Sequence, residues 1–211
     1  MSGILAQTLP DHHQTMRKLF RSISILLPLT GFFACGTSTT EQTFDSSKLT
    51  RASQEEVEKV IENFIMAEDS STIEIPAGFY ELNTQLILDN KTHVKIKGAG
   101  MDQTVLSFRN LKSGGEGVKI VGNEISIEDL SIEDAPGDGI KAQHSDGVTF
   151  RRINVTWTNG DKSKNGTYAI YPVQCKNVLI EECIASHSKD AGIYVGPVSY
   201  THLRAHETGR N

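Results

Sequence analysis

The chain carries 211 residues, 37% of them hydrophobic, and a formal net charge of −5. That is enough apolar material for one domain with its own core and scarcely enough for two. From Cys35 to Gly196 there are 16 basic against 24 acidic side chains, an imbalance that argues against nucleic acid as a partner and requires a local basic strip or a bridging cation for any polyanion.

Residues 1–15 have neither the charge nor the apolar run of a targeting segment, so they are expected to be a spurious upstream extension, with Met16 as the start. From Met16, "MRKLFRSISILLPLTGFFAC" has a basic head, an apolar stretch, small or apolar residues and then a cysteine, the architecture of a signal peptide over 16–34. It resembles a bacterial lipoprotein signal, although Phe32 stands where such signals usually carry Leu. The resemblance implies export, lipidation of Cys35 and attachment to a membrane of the bacterial envelope. A lone transmembrane anchor fits less well, because the apolar run is short and broken by Pro28. Residues 35–50 are polar and read as a tether, with too little apolar surface to offset the entropy of ordering.

The first ordered element is a helix over 53–66. Ser53 and Glu56 form a capping-box pattern, and Val57, Val60, Ile61, Phe64 and Ile65 follow at spacings of three and four. After Asp69 the pattern changes to short alternating runs bounded by Gly, Asn, Asp or Pro, the punctuation of strands and turns.

Three of these runs repeat. "ISIEDLSI" from Ile125, "VTFRRINV" from Val148 and "VLIEECIA" from Val178 bring Ile127, Phe150 and Ile180 into correspondence, and likewise Leu130, Ile153 and Cys183. A further strand follows or precedes each, placing Ile140, Ile170 and Ile193 in register. The spacing is 23 residues, except for one turn of 30 that contains an insertion between Val155 and Ile170. A period in the low twenties built from strands, without the leucine and asparagine pattern of leucine-rich repeats, predicts an all-β right-handed parallel β-helix. The N-terminal helix would then cap its first turn and cover an edge otherwise open to aggregation. Residues 51–196 are the expected extent of this domain.

"TIEIPAGFYEL" with "VKIKGAGMDQTVLSF" resembles the first turns of the pectate-lyase-like superfamily. "NGTYAIYPVQCKNVLIEECIASHSKDAGIYVG" is similar to exported bacterial parallel β-helix repeat proteins, related in fold to alginate lyases and mannuronan epimerases. The resemblance spans Ser71 to Gly196 and implies a polysaccharide partner lying along one sheet.

Side chains alternate across a strand, so the inward Ile140, Ile170 and Ile193 predict Lys141, Tyr171 and Tyr194 as an outward ladder. Gly139, Ala169 and Gly192 beside it are expected to leave a shallow groove, walled by Trp157 and Asp161 of the insertion and extended by Tyr168. If the substrate is a uronate chain, abstraction of the proton next to its carboxylate needs a base, an acid and a neutralising group. Lys141, Tyr171, Tyr194 and His144 are the catalytic candidates. An outward tyrosine ladder also serves a bare sheet or simple sugar stacking, which is the weightier reading of the residues alone.

Asp138 in "GDGI" is reminiscent of the "DG" of polygalacturonases, but the following turns place Tyr168 and Ala191 there, and it reads as a turn residue. Calcium held by Asp134, Asp138 or Asp161 is conceivable, yet their spacing matches no dedicated loop and a solvated acidic surface fits better. Cys183 is expected as a buried thiol in the core, and Cys175 in a turn beside the Ser145 position, so a bridge between them is not expected. Two functions compete: a membrane-anchored uronate lyase or epimerase, and a non-catalytic carbohydrate-binding or scaffold module.

At the C-terminal end, His202 and His206 in "HLRAH" have the spacing of a helical metal pair, but no metal site is assigned. "VSYTHLRAHE" matches one reading frame of a transposon-based sequencing adapter. Residues 197–211 are therefore expected to be an artefact following a truncated domain, leaving the last turn's edge uncovered.

Overall fold

The computed structural model describes residues 44–197 and the strand Thr201–Arg204. Residues 1–43, with the signal segment and Cys35, and His206 lie outside the described residues. Helix α1 (Gln54–Ile65) starts where expected: the Ser53 hydroxyl accepts the Glu56 N–H at 3.3 Å and Glu56 returns the bond to the Ser53 N–H at 2.7 Å. Val57, Val60 and Phe64 are buried against the end of the core, while Ile65 stands off that face at 70% exposure. The apolar stripe that seats the helix is thus narrower than the periodicity suggested.

Among the described residues twelve strands follow, all paired in parallel: β1 (Thr72–Glu74), β2 (Gly78–Glu81), β3 (Leu86–Thr92), β4 (Lys95–Lys97), β5 (Thr104–Ser107), β6 (Val118–Glu133), β7 (Ile140–Gln143), β8 (Asp146–Thr156), β9 (Ile170–Val173), β10 (Lys176–Glu181), β11 (Ile184–Ser186) and β12 (Thr201–Arg204). They stack into three rows. The first joins β3, the start of β6, β7 and β9; the second joins β1, β4, the middle of β6, β8, β10 and β12; the third joins β2, β5, the end of β6, the end of β8 and β11. The expected parallel β-helix is the fold.

The second row fixes the turn lengths. Thr72 pairs with Lys95, Lys95 with Ser126, Ser126 with Thr149, Thr149 with Leu179 and Leu179 with His202. Turns of 23 residues therefore alternate with turns of 30 or 31, giving an average near 26 rather than 23. The second long turn contains the insertion anticipated from the repeat; the first owes its length to two segments, the corner 98–103 and the loop 108–117, which no repeat in the sequence marked.

Inside, equivalent side chains stack as ladders. Ile73, Ile96, Ile127, Phe150 and Ile180 form one, and Leu86, Val118, Ile140 and Ile170 another, all nearly inaccessible. Each rung removes apolar surface from water at roughly 25 cal/mol per Å². On the later turns the corner between the second and third rows is a single residue in left-handed backbone, Asp129, Arg152 and Glu182 in turn (φ 61°, 49° and 53°).

On the outside of the second row, Glu74, Lys97, Glu128, Arg151 and Glu181 occupy one register position, alternating in sign. Arg151 Nε lies 2.7 Å from Glu181, and Lys95 Nζ lies 3.3 Å from Glu128.

Two expectations change. Within the tether expected over 35–50, Ser46–Lys48 form a 3₁₀ turn and the Ser46 hydroxyl donates to Glu133 at 2.9 Å. Cys183 is buried as expected, and Cys175 lies as expected in a turn, between β9 and β10, where its thiol is buried and directed at the Ala142 and Val173 carbonyls; the two form no disulfide. The edge of β10 is not bare, because β12 pairs along it from Val178↔Thr201 to Glu181↔Arg204. "HLR" of the suspected metal motif is thus strand rather than helix. Among the described residues no helix is long and apolar enough to cross a membrane.

Candidate functional site

The first row carries the expected outward ladder. Pairing of β6 with β7 and of β7 with β9 sets Lys119 beside Lys141 and Lys141 beside Tyr171, and the bridge Ile170↔Ile193 brings Tyr194 next. Tyr168, from the end of the insertion, closes the group. Its ring centre lies 4.7 Å from that of Tyr194, nearly parallel at 20°, and 4.9 Å from that of Tyr171; Tyr171 and Tyr194 are 5.4 Å apart. The Lys141 ammonium sits 5.3 Å from the Tyr171 ring centre, within cation–π range.

Two carboxylates flank that ammonium. Glu116 is 3.4 Å from Lys141 Nζ and Asp138 is 4.0 Å from it. They occupy the same place on consecutive turns, two residues before the paired Val118 and Ile140. Burial pushes the Glu116 carboxyl up, but its own backbone N–H, the Gln85 amide at 2.7 Å and Lys141 together outweigh that and leave it below the ordinary value. Asp138 goes the other way: burial raises it, and neither Lys141 nor the Tyr168 N–H at 3.2 Å reverses the effect. Desolvation, with the nearby charge of Asp190, raises the Tyr168 phenol and keeps it a donor.

The sequence missed Glu116. Comparison of Asp138 with the turns after it found Tyr168 and Ala191; its acidic neighbour lies on the turn before, brought into place by the unmarked long loop. The signal available was the "EGV" of Glu116 to Val118 against the "DGI" of Asp138 to Ile140.

Other assigned residues stand elsewhere. Trp157 does not wall the tyrosine strip: it is largely buried, and its indole N–H donates to the Ala135 carbonyl at 2.6 Å. Asp161 is exposed and caps the 3₁₀ turn Lys162–Lys164, accepting from Ser163 and pairing with Lys164 at 3.4 Å. His144 is exposed in a left-handed turn (φ 51°) at the far end of β7. Nor do the small residues beside the ladder open a groove. A methyl at Gly139 would lie 2.3 Å from Val155 Cγ1, and one at Gly192 would lie 3.0 Å from Ala185 Cβ. Their smallness serves the interior.

The acids suggested for calcium have separate partners: Asp134 with Arg109 and Thr158, Asp138 with Lys141, and Asp161 with Lys164. Among the described residues no three His, Cys, Asp or Glu side chains group as a metal site. A depression of about 470 Å³ lies over Arg109, Asp134, Trp157 and Lys164, away from the tyrosines.

This fold, with an aromatic strip along one row, defines a class of protein. The family described as a right-handed β-helix region matches residues 78–206, and the chain belongs to that right-handed β-helix family. No curated protein matches the chain. Among solved structures it is similar to a pectin methylesterase mutant in complex with a hexasaccharide (14% identity, TM-score 0.41, covering 59% of this chain and 43% of that one). It is also similar to an alginate lyase in complex with a trisaccharide (14%, TM-score 0.45, 64% and 32%) and to the catalytic domain of an α-1,3-glucanase in complex with nigerose (15%, TM-score 0.44, 73% and 32%). The chain spans less than half the length of each of these, and the likeness is one of fold.

Proposed function

We propose that this protein binds a polysaccharide along the strip formed by Lys141, Tyr168, Tyr171 and Tyr194. The observation that carries the proposal is the mutual packing of three tyrosine rings on the outer surface of a parallel row. The clustered rings form an apolar strip with phenol hydroxyls at its rim over successive rungs at roughly 4.8 Å, and a chain of pyranose rings can lie across it. Neighbouring hydroxyls and carboxylates then meet the sugar hydroxyls as donors and acceptors.

Binding without chemistry is favoured over the uronate lyase or epimerase reading. That chemistry needs a cation to meet the substrate carboxylate, and Lys141 is engaged by two acids of the protein. It also needs a base, and the Tyr168 phenol is shifted away from that role while His144 stands apart from the rings. The export signal and Cys35 complete the proposal: the binding domain is held at a membrane of the bacterial envelope by a lipidated cysteine.

Affinity electrophoresis through polysaccharide gels tests the first part. Retardation that is lost in Tyr171→Ala and Tyr194→Ala, with unchanged melting, supports it; growth of ultraviolet absorbance from new double bonds on alginate or pectate would restore the lyase reading. Metabolic labelling with a fatty acid, abolished by Cys35→Ala, tests the second.

A further inference from the structure

We infer that the strip selects uncharged glycans over polyuronates, and that Glu116 and Asp138 set this selectivity; the inference rests on the glycan-binding reading above and names its substrate class. Lys141 holds its ammonium 5.3 Å from the Tyr171 ring centre, and its charge is spent inside the protein. Glu116 and Asp138 lie 3.4 and 4.0 Å from its ammonium on either side. Both are held in place, Glu116 by the Gln85 amide at 2.7 Å and Asp138 by the Tyr168 N–H at 3.2 Å. Lys141 is itself only 24% exposed.

The other charges nearby do not restore a positive strip. Lys119 precedes Lys141 on the ladder, and Asp190 acts on the Tyr168 hydroxyl from the opposite end. The ammonium at the rings is thus balanced by two acids of the protein, on a chain whose formal net charge is already −5. A polyuronate carries a carboxylate on every sugar, and each step along the strip would bring one towards fixed negative charge in a partly desolvated setting. An uncharged chain meets no such opposition, and its hydroxyls can donate to the carboxylate oxygens beside the rings. Selectivity here comes from repulsion built against one partner class as much as from contact with the other.

Affinity electrophoresis of the full chain in gels containing β-glucan, xylan or galactomannan, compared with gels containing alginate or polygalacturonate, tests the inference. The expected result is retention by at least one uncharged polymer about tenfold stronger than by either polyuronate. Glu116→Gln with Asp138→Asn is expected to strengthen polyuronate retention several-fold and so narrow the ratio between the two polymer classes. The native protein supplies a second readout that needs no variant: added salt should increase polyuronate retention by screening the repulsion and leave uncharged polymers unaffected. Polyuronate retention equal to or stronger than that of every uncharged polymer, falling with salt, would overturn the selectivity while glycan binding stands. Retention by none of the five polymers, with a native melting transition, would overturn the binding reading itself.

Discussion

Trp157 donates its indole N–H to the carbonyl of Ala135, one turn back, at 2.6 Å. The insertion's only tryptophan is thereby a peg holding a loop to the solenoid, with 4% of its surface exposed. Trp157→Ala is expected to cost about 3–5 kcal/mol through the cavity and the lost bond. Trp157→Phe should cost less, and neither change should alter glycan affinity in the folded protein. Urea denaturation beside affinity electrophoresis checks both; a folded Trp157→Phe protein that no longer binds would return this residue to the site.

Gly139 is required by its neighbours across the interior. A methyl there would press on Val155 Cγ1 at 2.3 Å and on the Ala169 carbonyl at 2.7 Å. Gly139→Ala should therefore destabilise by about 1–3 kcal/mol, and the pair Gly139→Ala/Val155→Ala, with the neighbour shortened, should cost less than the sum of the two single losses. Thermal melting of the two single variants and the pair measures the coupling.

Glu133 is a buried carboxyl raised chiefly by desolvation; Ser46 bonds to it, Asp134 and Asp45 raise it further, and Arg109 pulls it down. Its folded form keeps a proton that the unfolded chain releases near the ordinary value of 4.5. The folded state thus binds more protons in that window, so this group makes stability fall as pH rises from 4.5 through the raised value. Glu133→Gln removes that slope. The stability of the variant relative to the native protein should increase across the window, as read by urea midpoints; a difference that shrinks with pH would contradict the assignment.

Both core thiols are raised by burial, which disfavours the reactive thiolate. In a Cys35→Ser background, Cys175 and Cys183 are expected to resist iodoacetamide in the native protein and to react in denaturant. Mass spectrometry of the alkylated chain reads the outcome, and fast native labelling at either position would show an opening of the core.

The fold was legible because ladders demand the same class of side chain at each rung. Ile127, Phe150 and Ile180 coincide once the segments are stacked, and the inward isoleucines fixed the outward Lys141, Tyr171 and Tyr194. Legibility failed where position depends on loops. Residues 108–117 share no pattern with the later insertion, so Glu116 stayed hidden beside Asp138. Trp157 read as a wall of the groove because sequence does not distinguish an aromatic that closes a loop over the core from one that faces solvent. Gly139 and Gly192 were small for the sake of Val155 and Ala185, residues on another row whose reach across the interior no local spacing reveals.

The alternating charges outside the second row and the alternating turn lengths share one rhythm. Glu74, Glu128 and Glu181 lie on every other turn, with Lys97 and Arg151 between them, and short turns alternate with long ones in the same order. The modular unit of this solenoid is consequently a pair of turns. Excising a single turn would set like charges on adjacent rungs and place two long loops or two short ones in succession, whereas excising a pair would preserve the parity of both. Shortening or lengthening this scaffold should therefore proceed by even numbers of turns.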